Sequence, residues 1–115
     1  MFLVNVIAVE NLVLKLNKEV FENQIPIEHI HIEVDNPANA WIPGAIGWCY
    51  EDDDEDGDFI VVGTTTEFED EQEFADTVCH ELVHSLQIYN GLVVGHETAL
   101  WDYYLKHCKS KGYNL

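Results

Sequence analysis

The sequence predicts an α+β domain, and three observations carry that prediction. Residues near the N-terminus place apolar side chains at helical spacing. The middle of the chain holds short alternating and β-branched runs parted by turn residues, and two further helical stretches follow. With 115 residues and 47% hydrophobic content, residues 1–115 have the length of a single domain around one modest core. The expected order is helix, three strands, helix, helix.

The first helix is expected over residues 8–24, with Val9, Leu12, Val13, Leu16, Val20 and Phe21 on one face and Pro26 ending it. His29 to Val34 alternates strictly and reads as a half-buried strand with Ile30, Ile32 and Val34 on one side. Asp35-Asn36-Pro37 turns the chain, and Pro43-Gly44 opens a strand from Ala45 to Tyr50. Phe59 to Thr65 is a third strand, and Asp56-Gly57 marks a loose hairpin between these last two. Asp70 with Glu73 three positions later is a capping box for a long helix over about 71–90, stopped by Asn90-Gly91. Gly95-His96 opens a final helix that runs to about Lys111, with Gly112 as its C-cap residue.

The charge is lopsided: 22 Asp+Glu against 5 Lys+Arg, a formal charge of −17 with His neutral. All five cations are lysines (Lys15, Lys18, Lys106, Lys109 and Lys111). Gripping nucleic acid by its phosphates takes a basic stripe, normally with Arg forks. Direct nucleic-acid binding and adhesion to anionic membranes are therefore not expected. Cys49, Cys79 and Cys108 are odd in number and never form a C-x-x-C pair, which excludes a zinc ribbon and a disulfide framework. Met1 to Val9 lacks the positive start of a signal peptide, and no apolar run reaches the length of a membrane span.

The stretch that carries chemistry is His80-Glu81-Leu82-Val83-His84, an H-E-x-x-H motif inside the long helix. Residues four apart lie about 40° from one another around a helix and one turn apart along it, so both imidazoles can reach one zinc ion. Glu81 stands beside them, where its carboxylate reaches a metal-bound water without ligating the metal. Phe74, Ala75, Val78, Cys79, Leu82, Val83 and Leu86 cluster on the opposite side, which separates a core face from a histidine face. With 6 His and 13 Glu, random shuffling yields the motif in roughly 3% of sequences, so chance is a poor explanation. A catalytic zinc needs a third protein ligand, and His96 and Glu97 are the two candidates beyond the Gly91 turn.

The His80-Glu81-x-x-His84 motif, Gly95-His96, and Trp101 in the helix that follows together resemble the SprT-like (Spartan-type) zinc metallopeptidases. The Ile46-to-Tyr50 and Phe59-to-Thr65 strands and the closing Gly112-Tyr113-Asn114-Leu115 are similar to that family as well, so the likeness covers roughly residues 45–115. The resemblance implies a minimal zincin fold with His80, His84 and His96 as zinc ligands and Glu81 as general base. It implies an edge strand that holds an extended peptide, here the last strand before the active-site helix. The small gluzincins share this architecture with a Glu ligand, which would make Glu97 the third. Zn2+ is the one cofactor expected. The expected activity is peptide-bond hydrolysis by a zinc-activated water with Glu81 as general base. The expected setting is a monomer in the cytoplasm, or in a host's cytoplasm if a virus or phage encodes it. The DNA-binding parts of the repair members have no counterpart in this chain.

Thr77, Glu73 and Gln87 share the histidine face and read as solvated positions, with a role in supporting the metal ligands or lining a subsite as the alternative. Tyr89, Tyr103, Tyr104 and Tyr113 are all candidates for an oxyanion-stabilising group, with none singled out. His29 and His31 read as surface residues, and His107 as a cation suited to a helix C-terminus. Residues 51–58 hold seven acids in eight positions. They lack the Glu and the flanking helices of an EF-hand and read as a solvated loop that would favour basic peptide substrates by steering. The rival reading is a non-catalytic acidic interaction protein with a structural or relic metal site.

Overall fold

The computed structural model describes residues 1–37, 44–54 and 57–115. Pro43 and Asp56, both placed at turns by the sequence, lie outside these residues. The elements are β1 (Phe2–Leu3), α1 (Val6–Glu19), a single 3-10 turn (Ile27–His29), β2 (Ile30–Asp35), β3 (Gly47–Asp54), β4 (Gly57–Thr65), β5 (Glu67–Phe68), α2 (Glu71–Tyr89) and α3 (Ala99–Ser110). The class is α+β, as expected. No helix among the described residues is long and apolar enough to cross a membrane.

The first helix starts and stops earlier than its apolar spacing suggests. Asn5 caps it, its Oδ1 accepting from the Ala8 amide at 2.9 Å. It ends at Glu19 instead of running to Pro26. Glu22 and Asn23 turn the chain in the left-handed region (φ 51° and 63°), and Asn17 holds the turn by accepting from the Ile25 amide at 2.9 Å. Val20 and Phe21 are still buried, at 1% exposure each, but through this turn and not through a helical stripe.

The main sheet has the order β2-β4-β3. β2 runs parallel to β4, pairing Ile30 with Ile60 through Asp35 with Thr65, and β3 runs antiparallel to it. β4 is central because its sequence suits burial on both faces: Ile60, Val61, Val62, Thr64 and Thr65 are all buried. The hairpin is tighter than the acidic tract suggested. Pairing continues to Asp53 opposite Asp58 and Asp54 opposite Gly57, so most of the tract belongs to the strands.

Trp48 and Tyr50 brace the outer face, the indole Nε1 donating to Glu33 Oε1 at 2.9 Å and the phenol to Glu33 Oε2 at 3.2 Å. The Trp48 ring lies against Gly63, where a Cβ would collide with it. A second, two-stranded sheet was not foreseen: β1 pairs with β5 through Phe2 opposite Phe68. The core forms where α1 and the inner sheet face meet α2, with Val9, Val13, Leu16, Val62, Val78, Leu82 and Val83 among its members.

Candidate metal centre

α2 carries the motif, and its start is local in origin. Asp70 Oδ1 accepts from the Glu73 amide at 2.8 Å, while Glu73 Oε1 accepts from the Glu69 amide at 3.0 Å, a capping box displaced by one residue. The helix stops where Gly91 adopts φ 67° and the Leu92 amide bonds back to the Gln87 carbonyl at 2.8 Å. The chain then runs through Leu92–Val94 to Gly95, and Thr98 caps α3 by accepting from the Trp101 amide at 3.1 Å. The last helix thus begins at Ala99, after His96 and not with it. That leaves His96 on a short loop facing α2.

His80, His84 and His96 come together there. His84 Nε2 lies 3.2 Å from His80 Nε2 and 3.0 Å from His96 Nε2. Each of the three offers a ligand atom within 4.8 Å of the others, and they form the one such group of His, Cys, Asp or Glu among the described residues. Glu97 is exposed and outside it. Trp101, 5% exposed, backs the cluster with its indole stacked at 4.3 Å on His96 and 5.2 Å on His84. His84 is buried, His80 half-buried and His96 exposed, so the open side is at His96. Burial, then the neighbouring His84 and His96, lowers the His80 pKa to about 4.

Glu81 is 7% exposed and points under the start of β3. Burial pushes its carboxyl up to about 7. Gly47 makes room for it: a Cβ there would stand 3.2 Å from Glu81 Oε2 and 2.5 Å from Thr77 Cγ2. Cys49, two residues along the same face, has its thiol pKa raised by burial and by the Glu81 charge.

A cleft of about 650 Å3 opens beside the triad, between Gly44–Gly47 and the face of α2 that bears Asp70, Glu73, Asp76, Thr77, His80 and Glu81. No lysine lines it. Asn114 and Leu115 also line it, the Asn114 amide donating to Asp76 Oδ1 at 3.0 Å. The strand beside the cleft is the edge strand β3. The Phe59-to-Thr65 strand, expected to hold a peptide by its edge, is β4, and both of its edges are already paired.

The histidine face of α2 is not solvated. Thr77 and Gln87 are buried, Gln87 completely, and Glu73 is half-buried at the cleft. The reason is tertiary: β3 covers Thr77, and the loop before α3 covers Gln87. Thr77 Oγ1 donates back to the Glu73 carbonyl at 2.8 Å. None of Tyr89, Tyr103, Tyr104 and Tyr113 lines the cleft. His29 and His31 are exposed, as expected, and rest on Tyr89 and Phe59. His107 does more than face a helix end: its Nε2 donates to the Val20 carbonyl at 2.8 Å, tying α3 to the turn after α1. Gln87, which the helical spacing already places on the histidine face, meets His84 Nδ1 at 2.8 Å, as the alternative reading had it; the residues missed from sequence are Gly47 and Thr98. A glycine inside a strand was the available signal, since it often marks close approach of another group.

No known family model, curated protein or solved structure matches this chain significantly.

Proposed function

We propose that this chain is a zinc metallopeptidase of minimal zincin type, with His80, His84 and His96 as the metal ligands and Glu81 as the general base. One observation carries the reading: three imidazole Nε2 atoms converge at 3.0 and 3.2 Å around His84, on the helix turn that also bears the buried Glu81 carboxyl. The donor set fits the ion. Tetrahedral zinc with metal–nitrogen bonds of 2.0–2.1 Å separates its ligands by roughly 3.3 Å, and three protein ligands leave one position open. Zinc bound here would acidify water and polarise a carbonyl as a Lewis acid. Glu81 then takes the proton of the attacking water and delivers it to the leaving amine. Trp101 and the buried side of α2 shield the ligands from bulk water, while the cleft beside His80 and Glu81 admits substrate.

The cleft supports a peptide running along β3, and its acidic wall favours a basic one. The SprT-like resemblance of the motif and of Gly95-His96 points to the same activity. Cys49, Cys79 and Cys108 are free thiols, in keeping with a reducing cytoplasm.

The test is elemental analysis of protein purified without added metal, paired with peptide hydrolysis by the wild type and Glu81→Gln. The expected result is about one zinc per chain in both proteins, with hydrolysis lost in the variant. Little zinc and weak rebinding would overturn the metal site. Full zinc without hydrolysis would favour the non-catalytic acidic interaction protein.

A further inference from the structure

Gln87 makes more hydrogen bonds at the triad than any ligand does, and their directions are fixed by backbone groups. Its Oε1 accepts from the Gly95 amide at 3.3 Å, and its Nε2 donates to the Gly95 carbonyl at 2.9 Å and to Thr98 Oγ1 at 3.0 Å. A backbone N–H only donates and a backbone carbonyl only accepts. Turning the amide over would set donor against donor and acceptor against acceptor at Gly95. The oxygen must therefore be the atom that lies 2.8 Å from His84 Nδ1. An oxygen there needs a proton on Nδ1, which leaves the Nε2 of a neutral His84 as a bare lone pair.

We propose that Gln87 is the positioning residue of the metal centre, selecting the His84 tautomer that presents Nε2 and delivering His96 to the same point by clamping Gly95 and Thr98. The proposal rests on the metal-site reading and names the residue that assembles the site. One fully buried amide serves both halves of it. The oxygen acts along α2 on His84, and the nitrogen acts across to the loop that bears His96. Through Thr98 it also reaches the cap of α3, and so the Trp101 indole stacked on His84 and His96. A hydrogen-bonded partner on the far nitrogen of a ligating imidazole fixes ring orientation, and its loss typically weakens metal binding 10–100-fold. Gln87 adds to that the placement of a second ligand, distant from the first in the chain.

Two variants separate the two roles. Gln87→Met keeps the shape and removes every bond. Gln87→Glu keeps an acceptor for His84 Nδ1 but loses the donors to Gly95 and Thr98. Nitrogen-15 NMR of metal-free protein reads the His84 tautomer directly, and Zn2+ affinity is read by competition with a chelator. In the wild type His84 is expected as the Nδ1–H form. Gln87→Met is expected to show both tautomers and about 10–100-fold weaker Zn2+ binding. Gln87→Glu is expected to retain Nδ1–H and bind Zn2+ less tightly than wild type. An Nε2–H form in the wild type, or Gln87→Met with unchanged tautomer and Zn2+ affinity, overturns the proposal. If Gln87→Met does not fold, loss of the Nδ1–H form in Gln87→Glu overturns it instead. Absence of Zn2+ binding by the wild type would sink the metal-site reading, and the tautomer of the metal-free protein would still judge the role of Gln87.

Discussion

Gly47 lies against Glu81 at the floor of the cleft, with a hypothetical Cβ only 3.2 Å from the Oε2 of that glutamate. The bare backbone of β3 is what lets a buried carboxylate sit beside the triad. Gly47→Ala would push on Thr77, whose hydroxyl is already committed to the Glu73 carbonyl, and on Glu81 itself. The expected cost is about 1–3 kcal/mol of stability from overpacking. Zinc content should stay that of wild type, because no ligand moves, while kcat falls more than KM changes. Chemical denaturation and steady-state peptide hydrolysis measure the two effects. Wild-type kcat in a folded Gly47→Ala protein would show that Glu81 needs no such fit.

His96 and Glu97 are adjacent in sequence and opposite in placement: His96 joins the histidine triad, and Glu97 is exposed outside it. His96→Ala should lose most bound zinc, and Glu97→Ala should keep it, by elemental analysis after dialysis against a weak chelator. The same zinc should stabilise the fold. At a free-metal concentration 1,000 times Kd the gain is about 4 kcal/mol, so a strong chelator should lower Tm in the wild type. It should leave Tm of His96→Ala almost unchanged.

Gly63 carries the Trp48 indole on its surface, and that indole is hydrogen-bonded to Glu33 on the far strand. Gly63→Ala removes the space. The expected loss is at least 1–3 kcal/mol from overpacking, with more where the Trp48–Glu33 bond breaks as well. Denaturant midpoints and tryptophan fluorescence would record it. A midpoint within 0.5 M of wild type, taken as about 1 kcal/mol for a small domain in urea, would contradict the packing described here.

The cleft wall bears Asp70, Glu73 and Asp76 with no lysine among its lining residues, on a chain of formal charge −17. Peptides with Lys or Arg near the scissile bond should be cleaved with a higher kcat/KM than their neutral counterparts. The advantage should shrink as salt rises from about 0.01 to 1 M, where the screening length drops from about 30 to 3 Å. A rate indifferent to peptide charge and ionic strength would remove basic peptides as the preferred class.

Much of the site was legible because its signals are short-range. Asp70 and Glu73 announce the start of α2, Asn90-Gly91 its end, and the four-residue spacing of His80 and His84 brings both imidazoles to one side. Each of these depends on neighbours within a turn of helix, where spacing in sequence translates directly into position. By itself, then, the sequence determined the α+β class, the capped α2 helix and the pair of histidines with Glu81 between them.

Only the tertiary structure decided which strand of the sheet is central, that Phe2 pairs with Phe68, and that α1 ends at Glu19 before a left-handed turn at Glu22 and Asn23. It also decided that His96 completes the triad while Glu97 faces solvent, and that Gln87 and Thr77 are buried on a face that looks polar. The physical reason is common to all of them. These outcomes depend on which distant segments bury one another and satisfy one another's hydrogen bonds. A polar residue such as Gln87 reads as solvated until the Gly95–Thr98 loop arrives to pair with its amide.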